Sequence, residues 1–150
     1  MPITNVLLVD DEERFLKTTQ ALLKKQDCNV LTAVDGWRGV AQLKVQGIDV
    51  VVLDVRMPGI DGIEVLRRIK ELHPLVEVIM LTGHSTLDTA IRGLKLGAFD
   101  YLTKPCDIAE LKLKIKAAHE KRLAMLEKDP ERKNRQNHQP SHGGVGKGLI

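Results

Sequence analysis

Three aspartates, a threonine and a lysine stand behind short apolar runs, and these five residues are where the chain could do chemistry. Asp54 follows Val50-Val51-Val52-Leu53 and precedes a Met57-Pro58-Gly59 turn, while Asp10 and Asp11 close Val6-Leu7-Leu8-Val9. Thr82 closes Val78-Ile79-Met80-Leu81, and Lys104 comes just after the segment Phe99 to Leu102. Short apolar runs bounded by turn residues read as buried strands. In an open α/β sheet, ligands bind in the crevice at the carboxyl ends of the strands. All five residues would then meet at one edge. Converging carboxylates need a positive partner, and magnesium takes oxygen ligands from one or two carboxylates plus phosphate oxygens. The collection suits a divalent cation and a phosphoryl group.

Each residue also has a plainer reading. Asp ahead of a helix is a common N-cap, and Glu12-Glu13 in the first turn would suit the helix dipole. An adjacent Asp pair nevertheless leaves one carboxylate over. Asp54 alone could end a strand, with the glycines of Pro58-Gly59-Ile60-Asp61-Gly62 allowing a tight loop. Thr82-Gly83 could be a helix entry with Ser85 as N-cap, and Lys104-Pro105 merely a turn and a helix N-terminus, with a cis bond in about 5–6% of X–Pro cases. The chemical reading gains because all five fall at the same predicted edge.

The elements that would hold these residues alternate five times. Strands are expected over Asn5–Val9, Asn29–Ala33, Asp49–Leu53, Glu77–Leu81 and Phe99–Leu102. Helices are expected over Glu12–Gln26, Trp37–Gln46, Gly62–His73, Ser85–Leu96 and Asp107–Leu126. Apolar residues three and four apart define the inward faces: Phe15, Thr19, Leu22 and Leu23; Ile63, Leu66 and Ile69; Leu87, Ile91 and Leu94; Ile108, Leu111, Ile115 and Ala118. Gly47 and Gly97 are expected at helix C-caps, and Pro74 ends a third helix. The wholly apolar third strand is that of a sheet covered on both faces. Repeated βα units predict a parallel sheet with helices on each side.

Composition fits one domain with a tail. The 150 residues are 43% hydrophobic and 29% charged, values ordinary for a soluble protein. No apolar run nears the roughly 18 residues of a membrane span, and the N-terminus does not read as a secretory signal. Cys28 and Cys106 form no metal-ligand spacing; a cytoplasmic protein with two free thiols is expected. Residues 1–127 carry 18 basic and 18 acidic residues, so the net charge of +3 belongs to the tail. The folded part thus gives no electrostatic reason to expect direct nucleic-acid binding. Residues 1–126 are expected to form the domain and 127–150 a disordered polar, basic tail. Gly143 to Gly148 invites a phosphate-loop reading but lacks the required spacing, the Ser/Thr after Lys147 and a preceding strand.

The set Asp10-Asp11, Asp54 with Met57-Pro58-Gly59 and Asp61-Gly62, Thr82-Gly83, Gly97-Ala98, Tyr101 and Lys104-Pro105 resembles the receiver domain of two-component response regulators. The likeness covers about residues 3–123 in order and spacing. It implies a (βα)5 flavodoxin-like, doubly wound five-stranded parallel sheet that accepts a phosphoryl group from a sensor histidine kinase or a histidine phosphotransfer protein. By this resemblance Asp54 is the phosphoacceptor, and Mg2+ (or Mn2+) is held by Asp10, Asp11, Asp54 and the backbone carbonyl of Arg56. Lys104 pairs with the phosphoryl oxygens, and Thr82 hydrogen-bonds to them. Tyr101 follows Thr82 and reshapes the face of the fourth helix, fifth strand and fifth helix, which docks a downstream protein. The plainer reading of Tyr101 is a half-buried strand aromatic with a wet hydroxyl. Arg56 and His84 match positions that tune water access, and as bulky polar groups they imply slow self-dephosphorylation. Such a chain is a signalling switch rather than an enzyme, and a phosphorylation-dependent homodimer fits it.

Other functions fit less well. A haloacid-dehalogenase-type phosphatase wants an acid two residues after the nucleophile, where Arg56 stands. A flavodoxin wants a Ser/Thr-rich loop after the first strand, where Asp10-Asp11-Glu12-Glu13 would repel phosphate. A receiver-like module that binds partners without phosphorylation remains the rival, opposed by the intact site. The polar tail is too short for an output domain, which leaves a stand-alone receiver or a piece of a longer regulator. Leu123 and Leu126 read either as a short coiled extension or dimer contact, or as a frayed helix end, the latter slightly preferred. Trp37 is expected to cover the start of the second helix, near the site.

Overall fold

Five apolar segments form parallel strands in a computed structural model that describes residues 3–45, 47–57, 59–83 and 87–128. The strands are β1 (Thr4–Val9), β2 (Cys28–Ala33), β3 (Val50–Asp54), β4 (Glu77–Thr82) and β5 (Asp100–Thr103). They alternate with α1 (Glu13–Lys24), α2 (Gly36–Leu43), α3 (Gly62–Leu72), α4 (Leu87–Lys95) and α5 (Ile108–Lys128). The order β2-β1-β3-β4-β5 puts β3 at the centre and is the flavodoxin-like doubly wound arrangement expected from the sequence. The expectations for Pro58, His84, the Ser85 cap and residues 129–150 lie outside the described residues, as does the side chain of Leu87.

The period of two along each strand divides the core into two layers. Leu7, Val9, Val51, Leu53, Val78 and Met80 pack with Leu43, Val65, Leu66 and Ile69 of α2 and α3. Val6, Leu8, Val50, Val52, Ile79 and Leu81 pack with Leu16, Leu23, Leu111, Ile115 and Ala118 of α1 and α5. Local signals set several helix ends. Asp35 accepts from the Arg38 amide at 2.8 Å and Asp61 from the Ile63 amide at 2.9 Å, which starts α2 and α3. Gly97, at φ 106, closes α4 as expected, with the Ala98 amide bonded to the Gly93 carbonyl at 2.9 Å.

Four expectations need correction. Gly47 does not cap α2, which ends at Leu43 with Lys44 as C-cap. Leu22 is exposed, and Leu16 takes the inward place on α1 with Thr19 and Leu23; a turn of 3.6 residues aligns those three and leaves Leu22 on the flank. On α4, Ile91 and Leu94 face outward at 41% exposure each, and Ala90 and Gly93 are buried instead. Met80 already fills the space between α4 and the sheet, so that a Cβ at Gly93 would collide with its side chain. The end of α5 is not frayed before Lys128. Leu126 is buried, Arg122 Nε donates to Asp49 at 3.1 Å, and His119 Nδ1 lies 2.8 Å from the Thr4 hydroxyl. These contacts tie the second half of α5 to the amino ends of the strands, away from Asp54.

Candidate functional site

Strand register brings the chemical residues together. Val9 pairs with Leu53, which sets Asp10 beside Asp54. Asp54 pairs with Leu81, putting Thr82 one step further along, and Thr82 pairs with Thr103, after which Lys104 follows. The carboxylates of Asp10, Asp11 and Asp54 offer oxygens within 4.8 Å of one another. Asp10 and Asp54 are buried, whereas Asp11 is exposed.

Each carboxylate oxygen of Asp10 has a partner. Oδ1 accepts from the Glu12 amide at 2.8 Å and Oδ2 from Lys104 Nζ at 2.7 Å. Asp10 is therefore not the N-cap of α1; that place belongs to Glu12, whose side chain makes no capping bond. Asp54 Oδ1 accepts from the Arg56 amide at 3.1 Å, while its Oδ2 lies 3.9 Å from Lys104 Nζ. Burial pushes the Asp54 carboxyl up to about 6, with the charges of Asp10 and Asp11 adding to the shift and the Arg56 amide and Lys104 opposing it. Lys104 is drawn down by burial, but its bonds to Asp10 and Glu12 outweigh that and hold it above its ordinary value. The site has more negative than positive charge, the condition in which a cation gains most from entering.

Thr82 is buried, and its hydroxyl donates to the Leu102 carbonyl at 3.5 Å, with its own carbonyl accepting from the Lys104 amide at 2.8 Å. Tyr101 is half-buried against the α2/α3 layer. Arg56 is exposed, two residues beyond Asp54, and its backbone amide bonds the Asp54 carboxylate. The Lys104-Pro105 bond is cis. Trp37 is 54% exposed, with the Arg68 guanidinium 4.8 Å from its ring centroid, so it covers α3 rather than the carboxylates. The sequence reading missed two neighbours of Lys104. Glu12 Oε1 accepts from its ammonium at 3.0 Å, and the Phe15 ring lies 4.3 Å below it. An acid immediately after the Asp pair and an aromatic one turn later were the available signals.

The fold and this edge of carboxylates define a class, and comparison with known proteins agrees. The family model described as "Response regulator receiver domain" matches residues 6–116. The chain is 40% identical over 114 residues to the transcriptional regulatory protein ZraR of Escherichia coli (strain K12), covering 76% of this chain and 26% of that protein. It is 38% identical over 116 residues to the probable transcriptional regulatory protein TcrX of Mycobacterium tuberculosis, covering 77% and 49% respectively. A crystal structure of a response regulator receiver domain protein from Clostridium thermocellum superposes with a TM-score of 0.79 at 37% identity, covering 82% of this chain and 99% of that one. The chain belongs to the response regulator receiver domain family of two-component systems, whose members are signalling switches rather than conventional enzymes. It spans about a quarter of the length of the ZraR relatives it matches. Among the described residues no helix is long and apolar enough to cross a membrane.

Proposed function

We propose that Asp54 accepts a phosphoryl group from a phosphohistidine on a sensor kinase or histidine phosphotransfer protein. The observation that carries this reading is the meeting of three carboxylates and Lys104 at one sheet edge. At neutral pH a carboxyl with pKa about 6 is mostly ionised, as a nucleophile must be. An Asp54 oxygen forms the new O–P bond as the N–P bond of the donor breaks. The electron pair leaves with the imidazole nitrogen, which takes a proton from water. Phosphoryl transfer needs positioning and charge neutralisation at the phosphoryl oxygens.

The oxygen-only donor set and the raised Asp54 pKa fit Mg2+ or Mn2+. Asp10, Asp11, Asp54 and the Arg56 backbone carbonyl would hold it. When bound, the ion supplies positive charge to the phosphoryl oxygens. Lys104 leaves its present carboxylate partners to join those oxygens, and Thr82 gives up the Leu102 carbonyl to donate to them. Tyr101 follows, reshaping the α4-β5-α5 face. Exposed Ile91 and Leu94 on α4 support a docking role for that face. Its occupant is a downstream protein or, in a phosphorylation-dependent homodimer, a second copy. Arg56, with His84, shields the acyl phosphate from water and gives it a lifetime of minutes to hours.

The receiver comprises residues 1–126 and the stretch 127–150 is a separate polar tail, its first two residues still within α5. The balanced charge of residues 1–127 supports a protein partner over nucleic acid, in the cytoplasm. The test is intact mass after incubation with acetyl phosphate and magnesium, beside Asp54→Asn. One added phosphoryl group, missing in the variant and without magnesium, is expected. An unmodified wild-type protein would overturn the reading in favour of a phosphorylation-independent module.

A further inference from the structure

We propose that Glu12 is a positioning residue for Lys104, holding its ammonium toward α1 and off Asp54, and so slowing phosphoryl uptake. This rests on the reading of Asp54 as phosphoacceptor. Lys104 Nζ has three carboxylates around it: Asp10 at 2.7 Å, Glu12 at 3.0 Å and Asp54 at 3.9 Å. The two nearest, both hydrogen-bonded, come from the segment that leads into α1. Only the contact to Asp54 exceeds hydrogen-bond distance. The Phe15 ring, 4.3 Å from Nζ, backs the ammonium on the same side.

Among the described residues the Glu12 side chain has no hydrogen bond or ion pair other than that to Lys104. As N-cap of α1 it makes no side-chain capping bond. Its amide is fixed by Asp10 Oδ1 at 2.8 Å, and its carbonyl accepts from the Leu16 amide at 3.0 Å. The backbone is thus held at both groups while the carboxylate reaches Lys104. Once a phosphoryl group arrives at Asp54, the ammonium must exchange Glu12 for phosphoryl oxygens. Glu12 is 66% exposed, so its hold is that of a solvent-screened ion pair. Releasing it corresponds to about a two- to fivefold faster reaction.

The experiment follows phosphoryl uptake by intact mass, with acetyl phosphate and magnesium, for the wild type, Glu12→Gln and Glu13→Gln. Glu13 is exposed, and no ion pair joins it to Lys104 among the described residues. Glu13→Gln therefore makes the same charge change without touching the contact. Glu12→Gln is expected to react about two- to fivefold faster at low salt, and Glu13→Gln at the wild-type rate. The advantage should shrink toward one as ionic strength rises from about 0.02 M to about 0.5 M. A second readout needs neither metal nor phosphoryl group: the nitrogen-15 resonance of the Lys104 ammonium should move in Glu12→Gln and stay in Glu13→Gln. Equal acceleration by both substitutions would reduce the effect to net charge and overturn the proposal, as would an unchanged Glu12→Gln rate. Failure of the phosphoacceptor reading looks different, since the wild type itself would then gain no mass, and this proposal would fall with it.

Discussion

Replacing Asp54 with asparagine should stabilise the metal-free protein at neutral pH. The substitution keeps an oxygen to accept the Arg56 amide, now at 3.1 Å, and removes a charge buried beside Asp10 and Asp11. A carboxyl raised from 3.8 to about 6 by burial and those charges costs the folded state about 3 kcal/mol when fully ionised. With some relaxation around the site, about 2 kcal/mol is expected. The sign follows from proton uptake. Below about pH 4 Asp54 is protonated in both states and there is no penalty. Between about pH 4 and 6 the unfolded chain loses its proton while the folded protein keeps it, so wild-type stability falls as pH rises. Above about pH 6 the full penalty is present. Urea unfolding of both proteins in chelator, at steps from pH 4 to 8, should show a difference that starts near zero and reaches its plateau by about pH 6.5. Free magnesium at a hundredfold its dissociation constant adds about 2.7 kcal/mol to a protein that binds it only when folded, more than the expected difference, so magnesium should close the gap. A difference independent of pH, or a variant less stable at pH 7.5, would refute the electrostatic account of the site.

Three further outcomes are expected. Leu66→Ala, in a side chain with no exposure, should cost about 3 kcal/mol in urea unfolding; a cost below about 1 kcal/mol would mean that the layer under α3 collapses to fill the gap. Gly62→Ala puts a methyl 2.6 Å from the Val55 Cα and carbonyl oxygen, so it should destabilise by about 1–3 kcal/mol and slow the proposed phosphorylation of the adjoining Asp54; wild-type stability would show that the loop has room. Arg56→Ala, which removes the proposed shield, should shorten the lifetime of the phosphorylated form by several-fold in a mass time course, and an unchanged lifetime would remove Arg56 from that role.

The sequence by itself determined the strands and what stands at their ends. Val50 to Leu53 is apolar on both faces, which only a covered central strand explains, and Asp54 had to emerge at its carboxyl end. With the short apolar runs before Asp10 and Thr82 and the segment before Lys104, the assembly of the site followed from chain direction. The inward faces of α1 and α4 were less legible, because apolar spacing cannot say how closely a helix approaches the sheet. Met80 occupies the space beneath α4, so the small residues Ala90 and Gly93 turn inward and the larger Ile91 and Leu94 are left outside. The packed end of α5 depended on Asp49, Thr4 and Arg122, which lie far apart in the chain and give no local signal. The state of the site itself was decided only in three dimensions. The partners of Lys104, some ninety residues away in Asp10 and Glu12, and the raised pKa of Asp54 arise from through-space distances and exclusion of water, quantities that spacing along a chain does not contain.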